Sequence, residues 1–319
     1  MRIAYIITVH KDPADVSRMT RKLLEGSENT VYIHVDGKAD IGPYKQALEG
    51  VGRVHFLEER TVVRWGGFSQ VKAMIALMRA AVADGSYDRI VFTQCQTYPL
   101  RSAAEIDAFF AKHPDAEFIG ATDMSTIDRS RHQYKVAYRW DLDKATPFGG
   151  LVNTVSKIKL RLGLPGRYAK KFIDIDGKKG HFYMGRAYIA LTPAAADYCV
   201  KFYDTHKSFN KRFSRVYAPD ESYFQTVLLN SPFAAASYYG VCPYGDDPKW
   251  FNLTVMEYKG SAVVQTEPEF YEKYRDSDWL YFRKFNLPAS ERLLDHIDAA
   301  HRAEAGAPAP ADTPAPAGD

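Results

Sequence analysis

The stretch APDESYFQTVLL (218–229) sets two carboxylates, Asp220 and Glu221, between a proline and an amphipathic run. Pro219 fixes a turn, Asp220 is placed to cap the helix that follows, and Glu221 falls in the first turn, where the helix dipole favours negative charge. That accounts for both acids structurally. It also describes an ionised carboxylate at a helix start, the state a general base needs to take a proton from a hydroxyl. The local sequence serves both readings. A second pair is cationic. WLYFRKF (279–285) carries Arg283 and Lys284 inside an aromatic run, where such side chains either snorkel out of a core or are aimed at an anion. Strand alternation predicts that they point to opposite sides. Two single residues join the set. Asp36 closes YIHVD and is placed to accept a hydrogen bond from a ribose or a base, although a lone acid at a strand end often has only a structural role. Trp65 precedes two glycines in VVRWGGFS (62–69); these allow close approach and leave the indole a face for stacking, with a core tryptophan beside a turn as the plain alternative.

Several chemistries are absent from the pattern. No phosphate-binding Walker lysine loop, no GxGxxG after the first strand, no HExxH and no GxSxG occurs. Three Asp-x-Asp triplets exist, at Asp141/Asp143, Asp174/Asp176 and Asp276/Asp278. None closes an apolar strand of the first half, so they read as chance surface pairs and no metal is expected. A bound diphosphate would then need another counter-charge. The net charge of +3 is too small for wrapping nucleic acid. The three cysteines, Cys95, Cys199 and Cys242, are far apart and odd in number, which fits a reducing compartment. The first apolar run is of strand length, so the expected location is cytoplasmic or peripheral on the inner face of a membrane.

The elements that must hold these residues follow from periodicity. Apolar runs at 2–10, 30–36, 53–58 and 89–95 read as strands, and 12–26, the short YKQALEG and 69–85 as helices, with Ser69 a candidate N-cap. Alternation with short connections predicts an α/β fold, a doubly wound, mostly parallel sheet flanked by helices, whose ligands lie at the carboxyl ends of the strands. His10, Asp36 and the residues after Cys95 fall there. The segment 184–203 reads as strand, turn, helix. Periods weaken over 125–180, where 157–171 carries six Lys/Arg among apolar residues: a solvated basic loop, or a contact with an anionic membrane or acceptor. The Ala/Pro-rich tail 303–319 reads as disordered. The domain expected is 1–302, with a nucleotide-binding half 1–120 and, over 121–302, an acceptor half and a C-terminal diphosphate-binding segment. Aromatic content of 13% fits either sugar-stacking faces or an aromatic core.

The stretches AYIITVHKDP, VYIHVDGKAD, VVRWGGFSQVKA, YPLRSAAEI, GRAYIALT, APDESYFQT and YFRKF together resemble the core-2/I-branching β-1,6-N-acetylglucosaminyltransferases and peptide xylosyltransferases, glycosyltransferase family 14. The likeness covers 3–110, 181–232 and, locally, 279–286. It implies a GT-A-like single catalytic domain and inverting transfer from a UDP-sugar without a metal or other cofactor. It implies Glu221 as catalytic base, Asp36 on the uridine, Trp65 stacked on uracil and Lys284 on the diphosphate, where a lysine can stabilise the leaving group as a metal would. Two departures stand out: Thr97 replaces an acid in CQTYP, and the arginine that partners the lysine in the animal enzymes has no counterpart beyond Lys259 or Arg283.

The expectation is therefore direct displacement with inversion. Glu221 deprotonates an acceptor hydroxyl, Arg283 and Lys284 hold the diphosphate, and Trp65 and Asp36 fix uridine, with Val9 and His10 on the same edge. Asp220, Tyr188 and Trp140 are the candidate acceptor and sugar contacts. The partners expected are a UDP-sugar, with N-acetylglucosamine first, and an oligosaccharide or lipid-linked glycan; nucleic acid is not among them. UDP-xylose or another nucleotide sugar is the alternative donor. A non-catalytic carbohydrate-binding protein is the alternative function.

Overall fold

The apolar runs of the first hundred residues become β1 (Ile3–Val9), α1 (Pro13–Leu24), β2 (Thr30–Val35), α2 (Gly42–Ala47), β3 (Val54–Phe56), α3 (Ser69–Asp84) and β4 (Arg89–Gln94). They are followed by β5 (Thr97–Pro99) and α4 (Ala103–Ala111). The computed structural model describes residues 1–127, 134–144, 146–166, 172–243, 252–258 and 263–306. Its second half contains β6 (Gly120–Asp123), α5 (Tyr134–Ala137), α6 (Gly149–Arg161), the hairpin β7 (Phe172–Ile175) and β8 (Lys178–His181), β9 (Tyr183–Met184) and β10 (Ala190–Leu191). Then come α7 (Pro193–Thr205), α8 (Lys207–Phe213), α9 (Tyr223–Leu229), β11 (Gly240–Val241), β12 (Thr254–Met256), α10 (Pro268–Tyr274), β13 (Tyr281–Arg283) and α11 (Glu291–Glu304).

The main sheet has the order β10-β4-β1-β2-β3, with all neighbours parallel except the β10 edge. Its central strands are buried on both faces, which is why their sequences are apolar almost without interruption. Alternate residues of β1 feed two cores. Ala4 and Ile6 pack with α3, α7 and α9, while Ile3, Tyr5, Ile7 and Val9 pack with α1 and α11. Helices therefore cover both faces, the doubly wound α/β arrangement predicted. The strand order reverses at β1 and β4, and the carboxyl ends of those two strands form the crevice where such folds bind ligands.

A smaller sheet brings the far end of the chain to that crevice. β13 lies between β12, parallel, and β5, antiparallel, with Arg283 opposite both Met256 and Thr97. The strand ends at Arg283, and Arg283 and Lys284 both line the crevice. The predicted alternation to opposite sides fails because Lys284 is no longer in the strand. The helix α11 runs to Glu304, two residues into the segment expected to be tail; residues 307–319 and Lys259 lie outside the described residues.

Two capping expectations are corrected. The N-cap position of α3 is Phe68, not Ser69. The helix start is held instead by Asp143, which accepts from the Ser69 backbone N–H at 3.0 Å and from Ser69 Oγ at 2.6 Å. Asp220 does not cap α9 either. Pro219–Glu221 form a 3₁₀ turn, α9 starts at Tyr223, and no side-chain cap is made there. The Asp141/Asp143 pair is not a surface pair. Asp141 is buried, 3.0 Å from Arg215 and bonded to Thr146. Asp143 also explains the second glycine of the Trp-Gly-Gly turn: a Cβ at Gly67 would lie 2.1 Å from its Oδ1. Gly67→Ala should displace that carboxylate and lower stability by about 1–2 kcal/mol, the usual cost of losing a cap. Unchanged thermal or urea unfolding would contradict this assignment.

Candidate functional site

The crevice opens into a cavity of about 590 Å³, within the range of small-molecule sites. It is lined by the ends of β1 (Val9, His10, Lys11), β2 (His34, Asp36) and β4 (Gln94, Cys95, Gln96), with Trp65, Gln70, Arg186, Tyr188, Asp220, Glu221, Tyr258, Arg283 and Lys284. A second hollow of about 560 Å³ lies beside Tyr5, Asn29 and His301, away from the strand carboxyl ends. Of the ten residues nominated from the sequence, the structure brings nine together around the first cavity. Trp140 is the exception. It is buried in a satellite cluster with Ala137 and Tyr138, its ring 5.2 Å from that of Tyr217, and it does not line the cavity.

One wall is cationic. Arg283 is almost fully buried, donating to Gln94 Oε1 at 2.6 Å, to the Cys95 carbonyl at 3.0 Å and to the Tyr188 hydroxyl. Its guanidinium also lies 5.0 Å from the centre of the Tyr188 ring. These partners are neutral. Among the described residues no carboxylate lies within ion-pair distance of Arg283 or Lys284. Burial, then the charges of Arg283 and Lys11, push the Lys284 ammonium below the ordinary lysine range. Three cations thus converge at the ends of β1 and β13, two of them lacking a counter-ion among the described residues. A buried uncompensated charge is costly, and a bound anion would relieve it. Lys11 was not singled out from the sequence, although it directly follows His10 in AYIITVHKDP.

The same cavity is lined by the two carboxylates. Glu221 meets two cations: Lys135 donates to Oε2, and Arg186 Nη1 lies 3.6 Å from Oε1. Asp220 is buried beside it, and burial, followed by the Glu221 charge and opposed by Lys135, pushes its pKa up to about 7. Gln70 ties this wall to the tryptophan turn, donating to Asp220 Oδ2 at 3.2 Å while its Oε1 accepts from the Gly66 N–H at 2.8 Å. The Ala218 N–H completes the tie by donating to the Gly66 carbonyl at 2.9 Å. Gln70 stands five residues after Trp65 in the quoted motif and was the residue to notice. Lys135 gave no such signal, since its segment shows no clean period.

The Asp220 shift has a sign that can be checked. The unfolded carboxyl loses its proton near 3.8 and the folded one near 7. The fold binds more protons between those values, so this group's contribution to stability falls as pH rises across that window. Asp220→Asn should therefore melt higher relative to the parent at about pH 8 than at about pH 4. A melting difference that is the same at both pH values would contradict the shift.

The remaining nominees are placed as follows. Trp65 is 77% exposed, with one edge-on contact to Tyr217 at 5.6 Å. Its face is open. Asp36 is buried; its Oδ1 accepts from the N–H groups of Lys38 (3.0 Å) and Val63 (3.1 Å), and its Oδ2 is 3.3 Å from Lys38 Nζ. His10 is exposed at the cavity rim, and partial desolvation and then the charge of Lys11 push it below the ordinary histidine range. Among the described residues no three His, Cys, Asp or Glu side chains gather as a metal-binding group. All three cysteines are buried and none forms a disulfide.

Comparison with known proteins follows the same outline. The family model described as "Core-2/I-Branching enzyme" matches residues 3–237, which takes in the carboxylate wall and stops short of Arg283 and Lys284. Xylosyltransferase 1 of Rattus norvegicus is 24% identical over 237 residues, 73% of this chain and 26% of that protein. Xylosyltransferase 2 of Homo sapiens is 25% identical over 236 residues, 72% of this chain and 25% of that protein. The chain thus spans about a quarter of the length of these curated relatives. The crystal structure of mouse xyloside xylosyltransferase 1, apo form, overlaps 72% of this chain and 82% of its own at 11% identity, with a TM-score of 0.34 too low to fix a fold. On the match over 3–237, the chain belongs to the Core-2/I-branching enzyme family of glycosyltransferases.

Proposed function

We propose that this chain transfers a sugar from a UDP-sugar to a hydroxyl of a glycan or glycolipid, by inverting displacement and without a metal. The observation that carries the proposal is the pair of cations, Arg283 and Lys284, that have no counter-ion among the described residues and line the same cavity as Glu221. In this reading the diphosphate lies against Lys284, Arg283 and Lys11, which neutralise charge as the bond to the anomeric carbon breaks. Uridine lies along Val9, His10 and Asp36, with uracil on the open face of Trp65. Glu221 takes the acceptor proton as the new bond forms, and Asp220 and Tyr188 position the sugar hydroxyls. N-acetylglucosamine is the donor sugar read from the sequence, and xylose is the one carried in the names of the relatives. Activity is placed in the cytoplasm, where nucleotide sugars and a membrane-bound acceptor would both be in reach.

One observation favours a second assignment of the base. Glu221 is held by two cations, whereas Asp220 has a pKa raised to about 7, near the value best matched to proton transfer at neutral pH. A panel of nucleotide sugars followed by thermal shift tests the whole proposal: the true donor should raise the melting temperature, by about 2.7 kcal/mol of stabilisation at one hundred times its dissociation constant. Transfer of that sugar should persist in EDTA. Absence of any shift with UDP or UDP-sugars would end the proposal, and a strict need for added manganese would end its metal-free part.

A further inference from the structure

The helix α6 (Gly149–Arg161) is turned inside out. Its inward face is small and polar apart from Leu160 near its last turn, which is 42% exposed. Gly149 and Ser156 are buried, Ser156 Oγ donates to the Arg139 carbonyl at 2.5 Å, and Asn153 makes a reciprocal pair with the Asp141 backbone at 2.7 and 3.0 Å. Its outward face is apolar. Phe148 is 71% exposed, Leu151 63%, Val155 41%, Ile158 52% and Leu162 66%. The steps between them are three, four, three and four residues, so they form one stripe along the helix. A contiguous exposed stripe of this kind marks an interaction surface rather than scatter.

Charge decides what fits it. Lys157, Lys159 and Arg161 are all exposed. At 100° per residue, Lys159 and Arg161 fall about 80° to either side of Leu151, so cations border the stripe on both flanks. From Lys144 through Ile173 the sequence holds seven Lys or Arg and no Asp or Glu. A two-fold contact with a second copy would lay this cationic helix against itself, like charge on like. An apolar stripe between cationic flanks is the pattern of a helix lying in the interface of an anionic bilayer. The helix is about 20 Å long at 1.5 Å per residue, and no helix of the described residues is long and apolar enough to cross a membrane.

We propose that α6 docks this protein onto anionic lipid surfaces, with Phe148, Leu151, Val155, Ile158 and Leu162 entering the acyl boundary and Lys157, Lys159 and Arg161 meeting the headgroups. The assignment is independent of the sugar-transfer reading. It also orients the cavity, because the Asp141–Asp143 segment holds α6 at one end and caps α3, beside Trp65, at the other.

The test is flotation of the full chain with vesicles of phosphatidylcholine alone and with about 30% phosphatidylglycerol. The bound fraction should rise at least about tenfold with the anionic lipid and fall back at about 0.5 M salt. Leu151→Ser/Ile158→Ser/Leu162→Ser should lose at least about tenfold of this binding. So should Lys157→Glu/Lys159→Glu/Arg161→Glu. Both variants should keep the parent's melting temperature and its thermal shift with UDP, since every changed side chain is exposed. Absence of flotation, equal flotation on neutral vesicles, or full binding by either variant would overturn the proposal. So would a dimer in sedimentation velocity that the serine variant converts to monomer, which would give the face to a second copy. Loss of the UDP shift in the parent would count against the transferase reading and leave this one standing.

Discussion

Glu221→Gln is expected to lower the turnover number for sugar transfer by about a thousandfold, within the range by which a positioned general base accelerates a reaction. The substitution keeps the side chain's shape and its place between Lys135 and Arg186. It removes the capacity to take a proton, together with the charge that Lys135 and Arg186 meet. UDP affinity should stay within about threefold of the parent, because a base that acts in the transition state contributes little to binding the product nucleotide. Steady-state kinetics with the donor found by thermal shift, together with calorimetric titration of UDP, measure both. Near-parental turnover would remove Glu221 from the role. If Asp220→Asn then showed the large loss instead, the base would be the buried carboxyl whose pKa is raised to about 7, and the pH–rate profile should carry an ascending limb near that value.

Lys284→Ala should weaken UDP binding by about tenfold to a hundredfold, the equivalent of about 1.5–3 kcal/mol for a hydrogen bond to a charged group. Turnover should fall as well, by about a hundredfold, since charge on the leaving diphosphate grows as the bond breaks. The ammonium carries a lowered pKa because it is partly buried beside Arg283 and Lys11. Its charge is therefore lost at lower pH than that of an ordinary lysine. UDP affinity of the parent should decline as pH rises through that range, and the alanine variant should show a flatter profile. Parental affinity in Lys284→Ala at neutral pH would refute the contact. Arg283 is a less direct probe, because its guanidinium also ties Gln94, Cys95 and Tyr188 together and its removal would loosen that wall.

Much of this was legible in sequence because the first hundred residues obey simple rules. Central parallel strands are buried on both faces, so IAYIITV and TVYIHV announce themselves, and the strand ends then place Val9, His10 and Asp36. What escaped depends on partners distant in sequence. Asp143 caps a helix start 74 residues away, so Ser69 looked like the cap and the Asp141/Asp143 pair looked idle. Lys135 finds Glu221 across 86 residues from a helix of one turn. Trp140 was nominated as an acceptor or sugar contact, but its neighbours in space are Ala137, Tyr138 and Tyr217. The helix α6 does carry a 3.5-residue apolar repeat. A periodic stripe fixes a helix, however, and not the side on which its protein lies. Here the inward residues, Leu160 apart, are glycine, asparagine and serine, which no pattern of hydrophobicity selects.

The cation wall arrives late in the life of the chain. β13 has to pair with β5, laid down about 180 residues earlier, before Arg283 and Lys284 can meet the ends of β1 and β4. A ribosome that has released only the first 260 residues therefore exposes the side of the crevice proposed for uridine with Lys11 but without Arg283 and Lys284. On the proposed reading nucleotide can act as a staple only after the final strand has docked, and a nascent chain stalled before that point should gain little protease resistance from UDP.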